Sequence, residues 1–250
     1  MIKFLTSNFK NYYKEGNQKI AKALDNTNGI VDQIKEYLKF KNTILFIPAD
    51  SKNMEKFLLY SQLLFDGLRL SGIEFKNYLI LSDNTKEHLK EYIEEADLIF
   101  LSGGDTFIQH QLFSEIKLKD LLNNFNGMII GQSAGSLNMA DSVFNSPEEK
   151  ENSEPIYFNG LGLTNINIEP HFIFDTKGFN EFELYQRNKI IEESYKRKIY
   201  GQCDGSHILI DENGNEIIYG ETYLIENGNV IKICDNLEST IISKLTSIHK

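Results

Sequence analysis

Apolar runs alternate with amphipathic segments along most of the chain. Residues 1–6 read as a first strand. Ile20, Ala23, Leu24, Ile30, Ile34 and Leu38 fall at helical spacing, which predicts a helix within residues 16–39. "NTILFIPAD" at 42–50 reads as a buried strand ending in a polar turn, and "MEKFLLYSQLLFDGLRLSG" at 54–72 as a helix closed by glycine. "KNYLIL" at 76–81 predicts another strand and "KEHLKEYIEEA" at 86–96 another helix. "DLIFLSGGDT" at 97–106 is a strand running into a glycine turn, followed by the helical "FIQHQLFSEI" at 107–116. "NGMIIGQSAGS" at 126–136 supplies a fifth strand, with a helix expected from about Ala134.

This alternation implies parallel strands joined by helical crossovers. The expected class is therefore α/β, a mostly parallel sheet with helices on both faces. Residues 207–235 differ, because short apolar runs there are split twice by E-N-G-N, at 212–215 and 226–229. Asn-Gly between strand-like runs signals a hairpin, so small antiparallel C-terminal strands are expected. No repeat, linker or composition shift divides the chain, which reads as a single domain over residues 1–250.

Composition narrows the function. The formal net charge of −10 disfavours a general nucleic-acid binder, since phosphate neutralisation needs concentrated Lys and Arg. The basic run Lys196-Arg197-Lys198 reads as solvated surface. Cys203 and Cys234 form neither a disulfide framework nor a cluster of metal-ligand spacing, which suggests a reducing compartment and no metal. "MIKFLTSNFKNYYKEG" lacks the apolar core of a signal peptide, and no apolar stretch approaches the ~20 residues of a membrane span. A cytoplasmic protein that binds no membrane is the expectation.

The candidate chemistry begins at G-Q-S-A-G, residues 131–135. A chance match to such a pentad somewhere in a chain of this length is on the order of one in ten. Its position adds weight. Both "SGGDT" and the pentad fall at carboxyl ends of expected strands, where open α/β sheets bind ligands. In a nucleophile elbow, Ser133 would sit on a strained turn, with Gly131 and Gly135 making room for close packing. The Ala134 amide would then face a developing oxyanion. "SGGDT" has a plainer reading as a helix-capping loop, with Asp105 or Ser102 as the cap.

A serine nucleophile needs a base, and a histidine base needs an acid to orient it. His171, just past the strand-like "NINIEP", is well placed, although a packed core histidine is the bland alternative. His88 reads as exposed and His110 as surface or packed. His207 reads as an edge-strand residue and His249 as frayed terminus. Among the acids after the pentad, Asp204 stands out, in the turn of "YGQCDGS". An ordinary Asx-turn residue is the competing interpretation.

The ordered set G-Q-S-A-G, preceded by S-G-G-D-T and followed by I-E-P-H-F and C-D-G-S, resembles the S51 serine peptidases. These are the dipeptidase E and cyanophycinase group, whose fold is related to class I glutamine amidotransferases. The resemblance covers the chain roughly from "ILFIPAD" to the C-terminal strands. It implies a hydrolase of short peptides that uses no cofactor, with Ser133 as nucleophile, His171 as general base and Asp204 as the acid. Aspartate stands where dipeptidase E has glutamate, so the contact to histidine has a shorter side chain to span. Glu148 and Glu149 are lower-ranked matches to a second acid assigned to the relay in that family. Gly104 and Ala134, with Gly103 behind them, would supply the oxyanion amides. Asp105, Thr106 and Arg187 are candidates for substrate binding. Dipeptidase E reads an N-terminal aspartate through an arginine after the histidine; here only Arg187 is available, in acidic surroundings.

Three other readings compete. An esterase of the α/β-hydrolase type would place its acid before its histidine. A glutamine amidotransferase would need cysteine at position 133. A non-catalytic binding protein could keep both fold and elbow. The C-terminal strands could cover a sheet edge or pair across a homodimer.

Overall fold

The computed structural model describes residues 1–148 and 153–245. Glu149 and His249 lie outside the described residues. The chain opens with β1 (Ile2–Thr6), β2 (Tyr12–Glu15), β3 (Gln18–Ala21) and α1 (Ile30–Tyr37). It continues through β4 (Thr43–Ile47), α2 (Met54–Leu70), β5 (Asn77–Ile80), α3 (Leu89–Glu95) and β6 (Leu98–Leu101). Next come α4 (Thr106–Glu115), α5 (Leu118–Leu121), β7 (Met128–Gln132), α6 (Ala134–Asn138), β8 (Ser142–Asn145) and β9 (Ile156–Asn159). The C-terminal part holds β10 (Ile168–Glu169), α7 (Glu181–Glu193), β11 (Ile199–Gln202), β12 (His207–Ile210) and β13 (Glu216–Tyr219). It ends with β14 (Thr222–Glu226), β15 (Asn229–Cys234), β16 (Ser239–Ile241) and α8 (Ile242–Leu245).

The main sheet has eight strands in the order β16-β13-β12-β1-β7-β6-β4-β5. The run from β1 to β5 is parallel, and β12, β13 and β16 extend it antiparallel. Alternate residues of its buried strands feed opposite layers, as the two-residue strand period requires. Leu45, Ile47, Ile99, Leu101 and Ile129 pack with Leu89, Ile93, Leu112 and Leu118 from α3, α4 and α5. Ile44, Phe46, Leu98, Phe100 and Ile130 pack on the other face with Ile30 and Ile34 of α1 and Phe57, Leu64 and Leu68 of α2. A second sheet, β10-β11-β14-β15, packs its own apolar cluster, including Phe172, Ile199 and Ile225, beside α7.

Both E-N-G-N segments are hairpin turns, joining β12 to β13 and β14 to β15. At the second, Asn227 and Gly228 take φ of 51° and 78°, the left-handed pair that a tight hairpin turn demands.

Three expectations need correction. The predicted helix over 16–39 is a helix only from Ile30; it begins instead with the turn at Gly16, φ 58°, and the second strand of the β2–β3 hairpin. His207 is not at an edge, because β12 lies between β1 and β13 and buries the ring completely. The basic run is also more than solvated surface: Lys196 and Arg197 both pair with Glu193, a carboxylate only 1% exposed.

Candidate active site

The elbow forms where β7 meets α6, at the carboxyl end of the sheet. Ser133 takes φ 49° and ψ −110°, a strained backbone for a residue with a Cβ. Small neighbours allow this. A Cβ on Gly131 would come within 2.6 Å of the Ser136 nitrogen, and one on Gly135 would collide with the Leu101 carbonyl of β6. Thr6, at the end of β1, latches the turn. Its carbonyl accepts from the Ser133 amide at 2.8 Å and from Ser136 Oγ at 2.9 Å, while its own amide donates to Ser136 Oγ at 2.8 Å. Ser136 is therefore a buried tie between β1 and the elbow.

His171 lies in the turn after β10, with φ 58°. Its Nε2 is 3.1 Å from Ser133 Oγ, and its Nδ1 is 2.7 Å from Asp204 Oδ1. The shorter aspartate thus spans the gap. A hydroxyl, an imidazole and a carboxylate in line can pass the hydroxyl proton to the ring while the carboxylate fixes the ring's tautomer. Burial pushes the Asp204 carboxyl up, but hydrogen bonds from His171, Ser7 and Asn8 and the charge of His171 outweigh it and hold it below the usual value.

Ser7 escaped sequence reasoning. Its hydroxyl donates to Asp204 Oδ1 at 2.8 Å and accepts from the His171 amide at 2.8 Å. It touches both partners of the serine and holds the strained His171 turn in place. The one signal available was position: Ser7 directly follows β1, which pairs with the strand carrying the pentad.

β6 and β7 are parallel neighbours, so "SGGDT" and the pentad sit side by side. As first residue of α6, Ala134 has an amide with no intrahelical acceptor. Gly104 takes φ 151°, and a Cβ there would approach Ala49 Cβ to 2.6 Å. Gly103 packs against the turn, its Cβ position 3.6 Å from Ser133 Cβ. Asp105 caps α4, its Oδ1 accepting from the amides of Phe107 and Ile108 at 3.0 and 2.9 Å. Gln109 donates to the Ser102 carbonyl, and Asn138 of α6 donates to the Thr106 carbonyl and to Gln109, so the two loops are bolted together.

Gly104, Ser133 and His171 are shared by two cavities. The first, about 330 Å³, is also lined by Thr106, Glu148, Glu169 and Arg187. Arg187 stacks over Phe172 at 4.1 Å and donates to the Ile173 carbonyl. Glu169, 7% exposed, accepts from Ser146 at 2.8 Å. Burial pushes its carboxyl up to about 7 against the opposing pull of Ser146, Arg187 and His171. The second cavity, about 440 Å³, lies toward β2 and α2. Among the other histidines, His110 stacks on Phe158 at 4.1 Å, and His88 is exposed beside Glu91. Among the described residues, no group of three or more His, Cys, Asp or Glu is arranged to hold a metal. None of their helices is long and apolar enough to cross a membrane.

The chain is similar to several known peptidases. A "Probable alpha-aspartyl dipeptidase" of Drosophila melanogaster is 27% identical over 167 residues, covering 64% of this chain and 65% of the relative. A "Peptidase E" of Nostoc sp. is 37% identical over 89 residues, 34% of this chain and 36% of the relative. The chain thus covers less than two thirds of the length of these curated relatives. Among solved structures, a peptidase from an acI-B1 Actinobacterium superposes with a TM-score of 0.68 at 17% identity, covering 96% of each chain. A putative peptidase E protein from Listeria monocytogenes gives 0.55 at 19% identity, covering 93% of this chain and 97% of that one; both show likeness of fold. Residues 16–218, and with them the elbow, the His171 turn and the Asp204 turn, match the model of peptidase family S51, and the chain belongs to that family.

Proposed function

We propose that this protein is a serine peptidase that hydrolyses short peptides through an acyl-enzyme. The observation that carries the reading is the contact series from Ser133 Oγ to His171 Nε2 at 3.1 Å and from His171 Nδ1 to Asp204 at 2.7 Å. Ser133 Oγ attacks the scissile carbonyl carbon while His171 takes its proton. The negative charge that develops on the carbonyl oxygen is met by the amides of Gly104 and Ala134, with Gly103 beside them. His171 then protonates the departing amine, and the C–N bond breaks. Water, deprotonated by His171, attacks the acyl ester and releases the acid, returning the proton to Ser133.

The chain order serine, histidine, acid argues against an α/β-hydrolase esterase, whose acid precedes its histidine. Serine at position 133 argues against glutaminase chemistry. Asp105 is engaged as a helix cap, whereas Thr106 and Arg187 both line the cavity beside His171, and Arg187 brings the one Lys or Arg side chain among its described lining residues. Glu169 and Glu148 share that cavity, so a second carboxylate on the substrate's acyl residue gains little there. A strict preference for N-terminal aspartate is therefore not expected.

The test is hydrolysis of a panel of dipeptides and aminoacyl chromogenic amides, with Ser133→Ala as the blank. Turnover of at least one dipeptide by the wild type and none by the variant is expected. Equal turnover by both would remove Ser133 from the reaction.

A further inference from the structure

The second cavity beside Ser133 has a different character from the first. Its floor is Phe46, Leu64 and Phe100, all buried beneath the sheet end. Its walls are Tyr12 of the β2–β3 hairpin and Tyr60 of α2, whose rings meet edge-on at 6.2 Å. Lys19 clamps these walls together: its ammonium lies 4.1 Å from the Tyr60 ring centroid and 5.2 Å from that of Tyr12, and it donates to the Tyr60 hydroxyl. At the rim stands Lys56, exposed and without an ion-pair partner among the described residues. No carboxylate side chain lines this cavity among the described residues, whereas Glu148, Glu169 and Glu183 line the first against the single Arg187.

A short peptide carries the same asymmetry. Its ammonium lies on the acyl side of the scissile bond, and its carboxylate belongs to the leaving amino acid. Both cavities open onto Ser133, His171 and Gly104, and both have volumes typical of ligand pockets. Charge complementarity across such a site fixes orientation more than it adds affinity. We propose that the cavity between the β2–β3 hairpin and α2 receives the leaving half of the substrate, an amino acid with an aromatic side chain and a free carboxylate. Its ring packs against the wall formed by the Tyr12–Tyr60 pair, over Phe46 and Phe100, and Lys56 pairs with its carboxylate. The acyl residue, with its ammonium, occupies the carboxylate-rich cavity. This assignment rests on the serine-peptidase reading above and deepens it by naming the substrate's second half.

The experiment holds the first residue of a dipeptide constant and varies the second among Gly, Leu and Phe, each as free acid and as C-terminal amide. Ser133 labelling by a fluorophosphonate is followed in parallel. Because apolar groups in a fitted pocket are worth roughly tenfold or more in kcat/KM, the Phe acid is expected to exceed the Gly acid by about that factor. The acid is expected to exceed the amide in the wild type, and this ratio to fall to about one in Lys56→Gln. Lys56 is an exposed residue of α2, so this variant keeps its fold. Labelled wild type with equal kcat/KM for Phe and Gly, or with an acid-to-amide ratio unchanged in Lys56→Gln, would overturn the subsite while leaving the peptidase reading intact. Wild type that is neither labelled nor active on any dipeptide would overturn both.

Discussion

Ser7 binds the two residues behind Ser133 at once, its hydroxyl accepting from the His171 amide and donating a hydrogen bond to Asp204. A buried or half-buried polar pair that loses one partner costs about 1–3 kcal/mol. Ser7→Ala is thus expected to lower kcat by about tenfold or more through a loosened His171 turn, with KM little changed. Asp204→Asn is expected to cost more, about 10³- to 10⁴-fold in kcat, because an amide neither selects the tautomer nor stabilises the imidazolium. Steady-state kinetics of the two variants beside His171→Ala and His110→Ala checks this, and a fully active Asp204→Asn would remove it from the relay. His110→Ala should retain activity, since its ring stacks on Phe158 away from Ser133. Ser133, His171 and Asp204 could be nominated from sequence because each sits in a short motif at an expected strand end. Ser7 could not, since "TSN" looks like any polar turn; only strand pairing brings residues so far apart in the chain into contact. Ser136 owes its role to the same pairing, which sets Thr6 of β1 against its hydroxyl.

At the scale of elements, apolar spacing was reliable where runs were long and ambiguous where they were short. The strands β4, β6 and β7 are buried throughout or nearly so and carry apolar residues at almost every position, which leaves little choice but the sheet interior. The segment from Ile20 to Leu38 reads equally well at helical spacing, yet the chain turns at Gly16 and starts its helix after Gly29. That hairpin walls the second cavity through Tyr12, so it bears directly on the site. His207 shows a similar effect. Antiparallel pairing of β12 on both sides seals its ring against Tyr219 at 5.1 Å, with Nε2 2.6 Å from Gln33 of α1. Burial alone drives its pKa down to about 3 from a model-compound value of 6.5. A histidine buried neutral contributes stability that is present above the unfolded-state value and lost as pH falls through the folded-state value. The unfolded chain binds the extra proton in that window. Stability is therefore expected to decline from about pH 6.5 toward pH 3, and His207→Gln to flatten part of that decline. Urea unfolding at several pH values measures it, and identical pH slopes for the two proteins would count against the assignment.

Across the whole molecule, the repeated strand–helix alternation announced a mostly parallel sheet, but not how its ends are finished. β12 and β13 join the main sheet, while the similar short runs β14 and β15 join β10 and β11 in a second one. Nothing in their composition separates the two pairs. The division follows from the turn at Gly220, φ 83°, where a Cβ would clash with Asn28 beside α1. The second sheet matters to the site because β10 and β11 lead directly into the turns bearing His171 and Asp204, while the main sheet carries Ser7 and Ser133. The proposed relay is thus built across two sheets, each delivering two of the four residues. This convergence is expected to make Ser133 a reactive nucleophile. Its most direct test is labelling of the intact protein with a fluorophosphonate, with the modified residue located by peptide mass. The prediction is one adduct on Ser133, absent in Ser133→Ala and slowed strongly in His171→Ala. An unlabelled wild type, or equal labelling of Ser133→Ala, would contradict it.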